Sequence, residues 1–213
     1  MEQHIADLRK EYIKNILRKE DLKSDPLSQF AIWFEEAQKA AAVEPNAMTL
    51  STVSASGKPS SRIVLLKGIE EQAMIFFTNY SSDKGKDMLE NPYVALNFFW
   101  PELERQVRIE GTITKTSAEE SDVYFNSRPI GSQLGAWASP QSSIVNSREE
   151  MEANLLEFER KFKDRVIPRP PHWGGYKVSP EKMEFWQGRA SRLHDRFLYS
   201  LEANQWKIDR LAP

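Results

Sequence analysis

Two arginines and a histidine stand at alternate positions near the carboxyl end of the chain, where together they could bind an anion. If this segment is extended, the side chains of Arg192, His194 and Arg196 share one face of a strand, opposite Leu193 and Asp195. Such a face would suit a phosphate or a carboxylate. The same residues could instead form a solvated turn in which Asp195 neutralises an arginine, so the segment alone leaves both readings open.

A second candidate anion site follows a predicted strand and opens a predicted helix. Thr78, Ser82 and Lys84 lie where free backbone N–H groups would converge with the positive end of the helix, an arrangement that suits a phosphate. The segment contains neither GxGxxG nor GxxxxGK[ST], which excludes the Rossmann and P-loop motifs. A capped helix with a lysine in its first turn would explain the same residues equally well.

Two further groups of donors could serve anionic ligands. Arg62 and Lys67 flank an apolar strand and are five residues apart, so in a regular strand they point to opposite sides. Tyr124, Arg128 and Ser132 follow one another where a predicted helix gives way to a loop, and their donors could form a second phosphate site. The alternative for Arg62 and Lys67 is a pair of rim charges that extend to water.

Composition excludes several classes of function. The formal net charge of −2 provides no overall positive field for nucleic acid, and the chain has no cysteine for disulfides, iron–sulfur clusters or thiol catalysis. Three scattered histidines make a dedicated metal site unexpected. No apolar run is long enough for a signal peptide core or a membrane span, and we therefore expect a soluble cytoplasmic protein.

The apolar periodicity predicts helices around a set of antiparallel strands. We expect one domain over residues 1–213, with N-terminal helices in residues 1–45 and a barrel with inserted helices in residues 46–213. The fold class is thus an α+β protein, a β-barrel with peripheral helices. The predicted helices cover residues 5–17, 26–44, 82–90 and 117–126, and a longer one starts at 147; the predicted strands are 48–53, 60–67, 73–79, 94–100, 105–114, 175–178, 183–186, 196–201 and 206–209.

Nine short strings, in this order and spacing, closely resemble the pyridoxine (pyridoxamine) 5′-phosphate oxidase family. The resemblance extends from about Leu8 to Pro213. The strings are Arg62-x-Val-Leu-Leu-Lys67, Thr78-Asn79, Glu104-Arg-Gln-Val107, Ser127-Arg-Pro129, Gln141-Ser-Ser143, Trp173-Gly-Gly175, Glu184-Phe-Trp-Gln-Gly188, Arg192-Leu-His-Asp-Arg196 and Arg210-Leu-Ala-Pro213.

The resemblance implies a homodimer of split β-barrels with FMN in clefts at the subunit interface. It implies oxidation of pyridoxamine or pyridoxine 5′-phosphate to pyridoxal 5′-phosphate, with hydride transfer from C4′ to flavin N5 and reduction of O₂ to H₂O₂. The implied catalytic residues are Arg192 and His194. The implied FMN contacts are Arg62, Ile63, Val64, Leu65, Leu66, Lys67, Phe77, Thr78, Lys84, Gln106, Gln141, Ser142, Trp186 and Arg196. The implied substrate contacts are Arg9, Lys10, Glu11, Tyr12, Lys67, Tyr124, Arg128, Ser132, Arg192, Leu193 and His194, of which residues 9–12 would form a lid.

One position departs from the family pattern. Where many members have Ser-Arg-Lys before the short helix, this chain has Ser82-Asp83-Lys84, which places an acid near the expected FMN phosphate. We expect Asp83 to face solvent and Arg62 and Lys84 to hold the phosphate. Two other functions are compatible with the same fold: an NAD(P)H-dependent flavin reductase, and a non-catalytic protein that binds FMN or a vitamer.

Overall fold

The structure, a computed structural model, describes Ile5 and residues 11–213. Its helices are α1 (Pro26–Lys39), α2 (Asp83–Glu90), α3 (Ala118–Ser127), α4 (Ile130–Ala138) and α5 (Arg148–Lys161), with 3₁₀ turns at Lys19–Asp21 and Ala190–Arg192. Its strands are β1 (Ala47–Val53), β2 (Pro59–Leu65), β3 (Gly68–Glu70), β4 (Ala73–Asn79), β5 (Tyr93–Trp100), β6 (Arg105–Lys115), β7 (Trp173–Gln187), β8 (Asp195–Glu202) and β9 (Gln205–Leu211).

The nine strands form one sheet in the order β2-β1-β5-β6-β7-β4-β3, with β8 paired to β7 and β9 paired to β8. The pairs β3–β4, β4–β7, β7–β8 and β8–β9 are antiparallel. The long strand β7 pairs with β4 through its first half and with β8 through its second half, so Phe77 lies opposite Gly175 and Arg196 lies opposite Trp186.

The backbone groups into two compact units. The first consists of the described residues of Met1–Leu50, together with Ala95–Gly111 and Pro180–Pro213, and the second consists of Ser51–Val94 and Thr112–Ser179. In the first unit, helix α1 begins at Pro26 with the Asp25 side chain accepting a hydrogen bond from the N–H of Ser28. Phe30 of α1 packs against Phe98, with ring centroids 4.9 Å apart.

The second unit has its own apolar cluster beneath the helices that carry several predicted contacts. Phe125, Leu134, Ile167 and Trp173 are buried together, and Trp137 and Phe158 pack against them. Helix α3 starts with a complete capping box, in which Ser117 and Glu120 satisfy each other's backbone N–H groups. Helices α2 and α5 are likewise capped by Ser82 and Ser147, as the sequence predicts.

Several observed elements differ from the predicted ones, and strand β3 was not predicted at all. The helix predicted over residues 5–17 is absent from residues 11–17, because the N–H groups of Ile13, Lys14 and Leu17 bond to distant carboxyl groups instead of to the preceding turn. Residues 6–10 of that prediction lie outside the described residues. Helix α1 ends at Lys39 rather than near residue 44. Helix α4 replaces a predicted loop, and β7 continues through residues 179–182 where two strands are predicted.

Candidate active site

A cavity of about 620 Å³ lies in the second unit, a size that matches pockets for small molecules and cofactors. Strands β2, β4 and β7, helices α2, α3 and α4 and the segments beside them supply its lining. Eleven of the predicted contacts line it: Ile63, Val64, Leu65, Lys67, Phe77, Thr78, Lys84, Tyr124, Arg128, Ser132 and Gln141. The structure therefore brings together residues that are up to 78 positions apart in the chain.

A group of polar side chains lies at the start of α2. Lys84 Nζ donates to Gln141 Oε1 at 2.9 Å and to Ser82 Oγ at 3.1 Å, and Thr78 Oγ1 donates to the same Gln141 oxygen at 3.4 Å. Burial lowers the pKa of the Lys84 ammonium, and the positive charge of Arg62 lowers it further. Two neighbouring cations at a helix N-terminus form an environment that an anion would stabilise.

Arg62 is held by its own strand and by a neighbouring hydroxyl group. Its guanidinium donates to Thr52 Oγ1 at 2.8 Å and to Ser60 Oγ at 2.7 Å, and Thr52 Oγ1 in turn donates to Asp87 Oδ2 at 2.7 Å. Burial lowers the pKa of Arg62, whereas the charges of Asp87 and Asp83 act in the opposite direction. The Asp83 side chain is 70% exposed, which confirms the prediction that it faces solvent.

Stacked aromatic rings form one wall of the cavity. Phe77 and Tyr124 have ring centroids 3.9 Å apart, and Trp173 is nearly parallel to both. The guanidinium of Arg128 lies 4.6 Å from the centre of the Trp173 ring. Its Nη1 atom is buried and has no hydrogen-bond partner, and burial lowers the pKa of this side chain. A guanidinium N–H of this kind requires an acceptor, which a ligand entering the cavity could provide.

The first unit holds a second group of predicted contacts. The rings of Tyr12, Trp186 and His194 form a cluster in which Trp186 and His194 have centroids 4.6 Å apart and Tyr12 lies edge-on to both. The backbone N–H of Arg189 donates to His194 Nδ1 at 3.1 Å. This bond requires an unprotonated Nδ1, so the neutral imidazole carries its proton on Nε2.

Burial and neighbouring charges disfavour the protonated form of His194. Desolvation lowers its pKa below the ordinary value, and the positive charges of Arg192 and Arg196 lower it further. Arg196 donates from Nε to Glu184 Oε1 at 2.7 Å and from Nη1 to the carbonyl oxygen of Ala212 at 2.8 Å. Glu184 is buried and also accepts from Arg108 at 3.1 Å, so one carboxylate orients two guanidinium groups.

The prediction that Arg192, His194 and Arg196 share one strand face is wrong. Strand β8 begins only at Asp195, and Ser191 and Arg192 have left-handed backbone with φ of 55° and 61°. A 3₁₀ turn therefore replaces the extended segment on which the alternation depends. Asp195 pairs with two arginines, Arg210 at 3.0 Å and nearby Arg189 at 3.7 Å, which agrees with the alternative of a turn in which Asp195 neutralises an arginine.

The remaining predicted contacts are not part of this cavity. Leu66 is buried, Gln106 is partly buried on β6, and Ser142 is exposed with φ of 72°. Glu11 is exposed, whereas Arg9 and Lys10 lie outside the described residues. Arg62, Leu66 and Ser142 are not among the residues that line the cavity.

Sequence reasoning missed several lining residues, most of them on or beside α4: Asn79, Pro129, Gly135, Ala136, Ser139 and Trp173. Helix α4 has no side-chain cap and contains two glycines, so the usual start signal and a strong helix propensity are both lacking. The apolar positions Leu134 and Ala138, four residues apart, are the signal that could have revealed it.

Among the residues that the structure describes, no cluster of three or more His, Asp or Glu side chains could hold a metal ion. Within the same residues, no helix has both the length and the apolar character needed to cross a membrane.

Comparison with known proteins agrees with this architecture over almost the whole chain. PhzG from Burkholderia lata, solved in complex with tetrahydrophenazine-1-carboxylic acid, superposes with a TM-score of 0.89 at 30% identity, covering 94% of this chain and 99% of that one. The antiparallel sheet with its peripheral helices defines a split-barrel protein, and the predicted fold class is confirmed.

Family models and curated relatives refine this class. A model described as "Pyridoxamine 5'-phosphate oxidase" matches residues 34–162, and one described as "Pyridoxine 5'-phosphate oxidase C-terminal dimerisation region" matches residues 173–213. Proteins named pyridoxine/pyridoxamine 5′-phosphate oxidase are similar throughout: that of Cyanothece sp. is 54% identical over 98% of both chains, and that of Burkholderia multivorans is 56% identical over 98% of this chain and 99% of its own. The chain belongs to the pyridoxamine 5′-phosphate oxidase family.

Proposed function

We propose that this protein is an FMN-dependent oxidase that converts pyridoxamine or pyridoxine 5′-phosphate to pyridoxal 5′-phosphate and reduces O₂ to H₂O₂. One observation carries the proposal: a single cavity gathers eleven of the residues that the family resemblance assigns to FMN or substrate. The curated relatives that share more than half of its residues bear the name of this activity.

The donor set at the start of α2 fits the phosphate of FMN. Lys84 and Arg62 would neutralise the phosphate charge, and Thr78 and Gln141 would add hydrogen bonds. Lys84 Nζ donates to the side-chain carbonyl oxygen of Gln141, and a phosphate oxygen would take over that donor. The partial desolvation of Lys84 and Arg62 strengthens their attraction to an anion.

The substrate phosphate would bind elsewhere in the same cavity. Lys67, Tyr124, Arg128 and Ser132 all line it, and the unpartnered Nη1 of Arg128 would gain its missing acceptor there. The planar guanidinium can form two parallel bonds to a phosphate, which fixes orientation as well as adding affinity. This phosphate contact would hold the pyridine ring in register for reaction at C4′.

Arg192 and His194 would position the substrate ring. FMN supplies the acceptor for the hydride that leaves C4′ and the means to pass two electrons to O₂. Because Nδ1 of His194 is occupied by the Arg189 N–H, we assign His194 the role of hydrogen-bond donor through Nε2. It could accept a proton at Nδ1 only after that bond breaks. Trp186 and Arg196 would contact FMN, with Arg196 oriented by Glu184.

We also propose that the protein is a homodimer with FMN at the subunit interface. The match of residues 173–213 to a dimerisation region supports this assembly. One chain has a mass of 24.6 kDa, and light scattering of the FMN-loaded protein after size exclusion should give twice that mass. A monomeric mass for the loaded protein would contradict a shared FMN site.

The activity is tested by incubating the FMN-loaded protein with pyridoxamine 5′-phosphate in air. We expect pyridoxal 5′-phosphate, ammonia and H₂O₂ to form in equal amounts, with water supplying the aldehyde oxygen and without added nicotinamide nucleotide. Flavin turnover that depends on NADH or NADPH would identify a flavin reductase instead. Tight binding of FMN and pyridoxamine phosphate without H₂O₂ would identify a binding protein.

A further inference from the structure

The segment before α1, residues 11–18, is held by hydrogen bonds from its backbone to the carboxyl groups of Glu104 and Asp195. The N–H groups of Ile13 and Lys14 both donate to Glu104 Oε2, at 2.9 and 3.1 Å. Farther along, the N–H of Leu17 donates to Asp195 Oδ2 at 3.2 Å. Residues 11–18 form no helix, so their backbone donors depend on such contacts. Glu104 satisfies two of these donors with a single oxygen atom.

The backbone of Glu104 binds a second segment, residues 187–188 at the end of β7. Its carbonyl oxygen accepts from the N–H of Gly188 at 2.8 Å and from Gln187 Nε2 at 3.2 Å. Glu104 is 1% exposed. Its backbone is left-handed, with φ of 55°, a conformation that costs free energy in any residue other than glycine. Glu104 therefore binds the N-terminal segment through its side chain and the end of β7 through its main chain.

These two segments meet where Tyr12 packs on Gly188. A Cβ atom at position 188 would lie 2.7 Å from Cγ and 2.8 Å from Cβ of Tyr12, so only glycine allows this approach. From this position the Tyr12 ring is edge-on to Trp186, with centroids 5.6 Å apart, and lies 6.0 Å from His194. The location of Tyr12 thus depends on the two segments that Glu104 joins.

We propose that Glu104 is a positioning residue that places Tyr12 against Trp186 and His194 before substrate binds. The hydrogen bonds of Glu104 to both segments fix the position of the Tyr12 ring. Without them the ring would have to become ordered when substrate binds, which would weaken the free energy of binding. The proposal rests on the proposed function, because it assigns Tyr12 and His194 to the substrate side of an oxidase. It adds a residue that acts through Tyr12 rather than by touching the substrate.

Because the backbone of residue 104 is left-handed, glycine can replace Glu104 without disturbing the main chain. Glu104→Gly removes the carboxyl group while the main chain keeps, with less strain, the conformation that holds Gly188. Glu44→Gly is the matched control, because Glu44 is also left-handed, with φ of 45°, but has an exposed side chain. Glu104→Gln retains an acceptor oxygen and should lie between Glu104→Gly and the unchanged protein. Thermal unfolding and FMN content would verify that each variant is folded and loaded.

Hydrogen exchange tests the anchoring without reference to activity. In the FMN-loaded protein without substrate, the amides of Ile13 and Lys14 should exchange about tenfold faster or more in Glu104→Gly, and Glu44→Gly should leave them unchanged. Unchanged exchange at both amides in Glu104→Gly would overturn the proposal, whatever the enzyme's activity. Failure of the unchanged protein to oxidise pyridoxamine 5′-phosphate would instead refute the proposed function.

Kinetics of a double variant test whether Glu104 acts through Tyr12. We expect Glu104→Gly and Tyr12→Ala each to raise KM for pyridoxamine 5′-phosphate about tenfold, the scale of one lost aromatic contact, with FMN affinity unchanged. The double variant should be no worse than Tyr12→Ala alone, because the two changes remove the same contact. Additive effects on KM, or a loss of FMN affinity in Glu104→Gly, would show a general structural role and contradict the assignment.

Discussion

The backbone N–H of Arg189 donates a hydrogen bond to Nδ1 of His194 across 3.1 Å. This contact fixes the neutral tautomer of the imidazole and leaves Nε2–H as the only donor that the ring can offer. Nitrogen NMR of protein labelled at histidine should show His194 with a protonated Nε2 and an unprotonated Nδ1 at pH 7.5. Protonation at Nδ1 in the neutral ring would contradict the geometry.

The same ring predicts how stability depends on pH. Because burial and the charges of Arg192 and Arg196 lower the pKa of His194 in the folded state, the unfolded chain takes up this proton more readily. The contribution of the neutral His194 ring to the free energy of unfolding is complete above the pKa of about 6.5 that histidine has in the unfolded chain. This contribution is lost as the pH falls from there towards the lower pKa of the folded state. Urea unfolding of His194→Gln between pH 7.5 and 5.5 should show a weaker pH dependence than the unchanged protein. An identical pH dependence would exclude His194 as the source.

Glu184 should control FMN affinity through Arg196. Its buried carboxylate accepts from Arg196 Nε at 2.7 Å, so Glu184→Gln replaces a charge-assisted bond by a neutral one and frees the guanidinium to turn away. We expect FMN to bind about tenfold more weakly, as measured by quenching of flavin fluorescence. Glu110→Gln is the control, because Glu110 pairs with Arg108 at 3.7 Å on the exposed side of the same network. Equal affinities in both variants would show that Arg196 needs no such orientation.

Arg128 should recognise the substrate phosphate specifically. Its Nη1 is buried without a partner, so Arg128→Ala would remove a charged donor that the phosphate is expected to satisfy. KM for pyridoxamine 5′-phosphate should rise about a hundredfold, whereas KM for unphosphorylated pyridoxamine should stay nearly constant. The surface variant Arg148→Ala, whose side chain is 85% exposed, should alter neither value. An equal rise for both substrates would place Arg128 away from the phosphate.

The acid at position 83 should weaken FMN binding moderately. Asp83 is exposed at the first turn of α2, so Asp83→Arg would exchange a repulsive charge for an attractive one near the proposed phosphate site. We expect the dissociation constant of FMN to fall about two- to fivefold at low salt, and the gain to shrink as salt is added. Glu90→Arg makes the same charge change at the other end of α2 and should have little effect. A gain that is insensitive to salt would contradict an electrostatic origin.

The elements that were predictable carry local signals. Ser117 and Glu120 form the expected capping box, and Asp25 and Pro26 start α1 as the sequence indicates. Helix α4 has no such signal, because Pro129 provides no side-chain cap. The helix expected over residues 5–17 has suitable periodicity, but across residues 11–17 tertiary contacts to Glu104 and Asp195 override it.

Site residues were predictable where the family resemblance assigns them a contact. Glu104 and Glu184 belong to recognised strings, but their distant hydrogen-bond partners were not predictable. Glu104 is 91 residues from Ile13, and no spacing rule connects a buried carboxyl group to a backbone donor so far away. Glu184 and Arg196 are 12 residues apart, and antiparallel pairing of β7 with β8 brings their strands together. The left-handed turn at Ser191 and Arg192 likewise has no glycine to mark it.

Anaerobic reduction of the flavin tests the central claim most directly. The FMN-loaded protein should lose its flavin absorption band when pyridoxamine 5′-phosphate is added without oxygen, in single-turnover amounts, and should regain the band with release of H₂O₂ when air is readmitted. Bleaching should be much slower in Arg192→Ala and in His194→Ala while FMN stays bound. An absorption band that persists with pyridoxamine phosphate but bleaches with NADH or NADPH would contradict the assignment as an oxidase of this substrate.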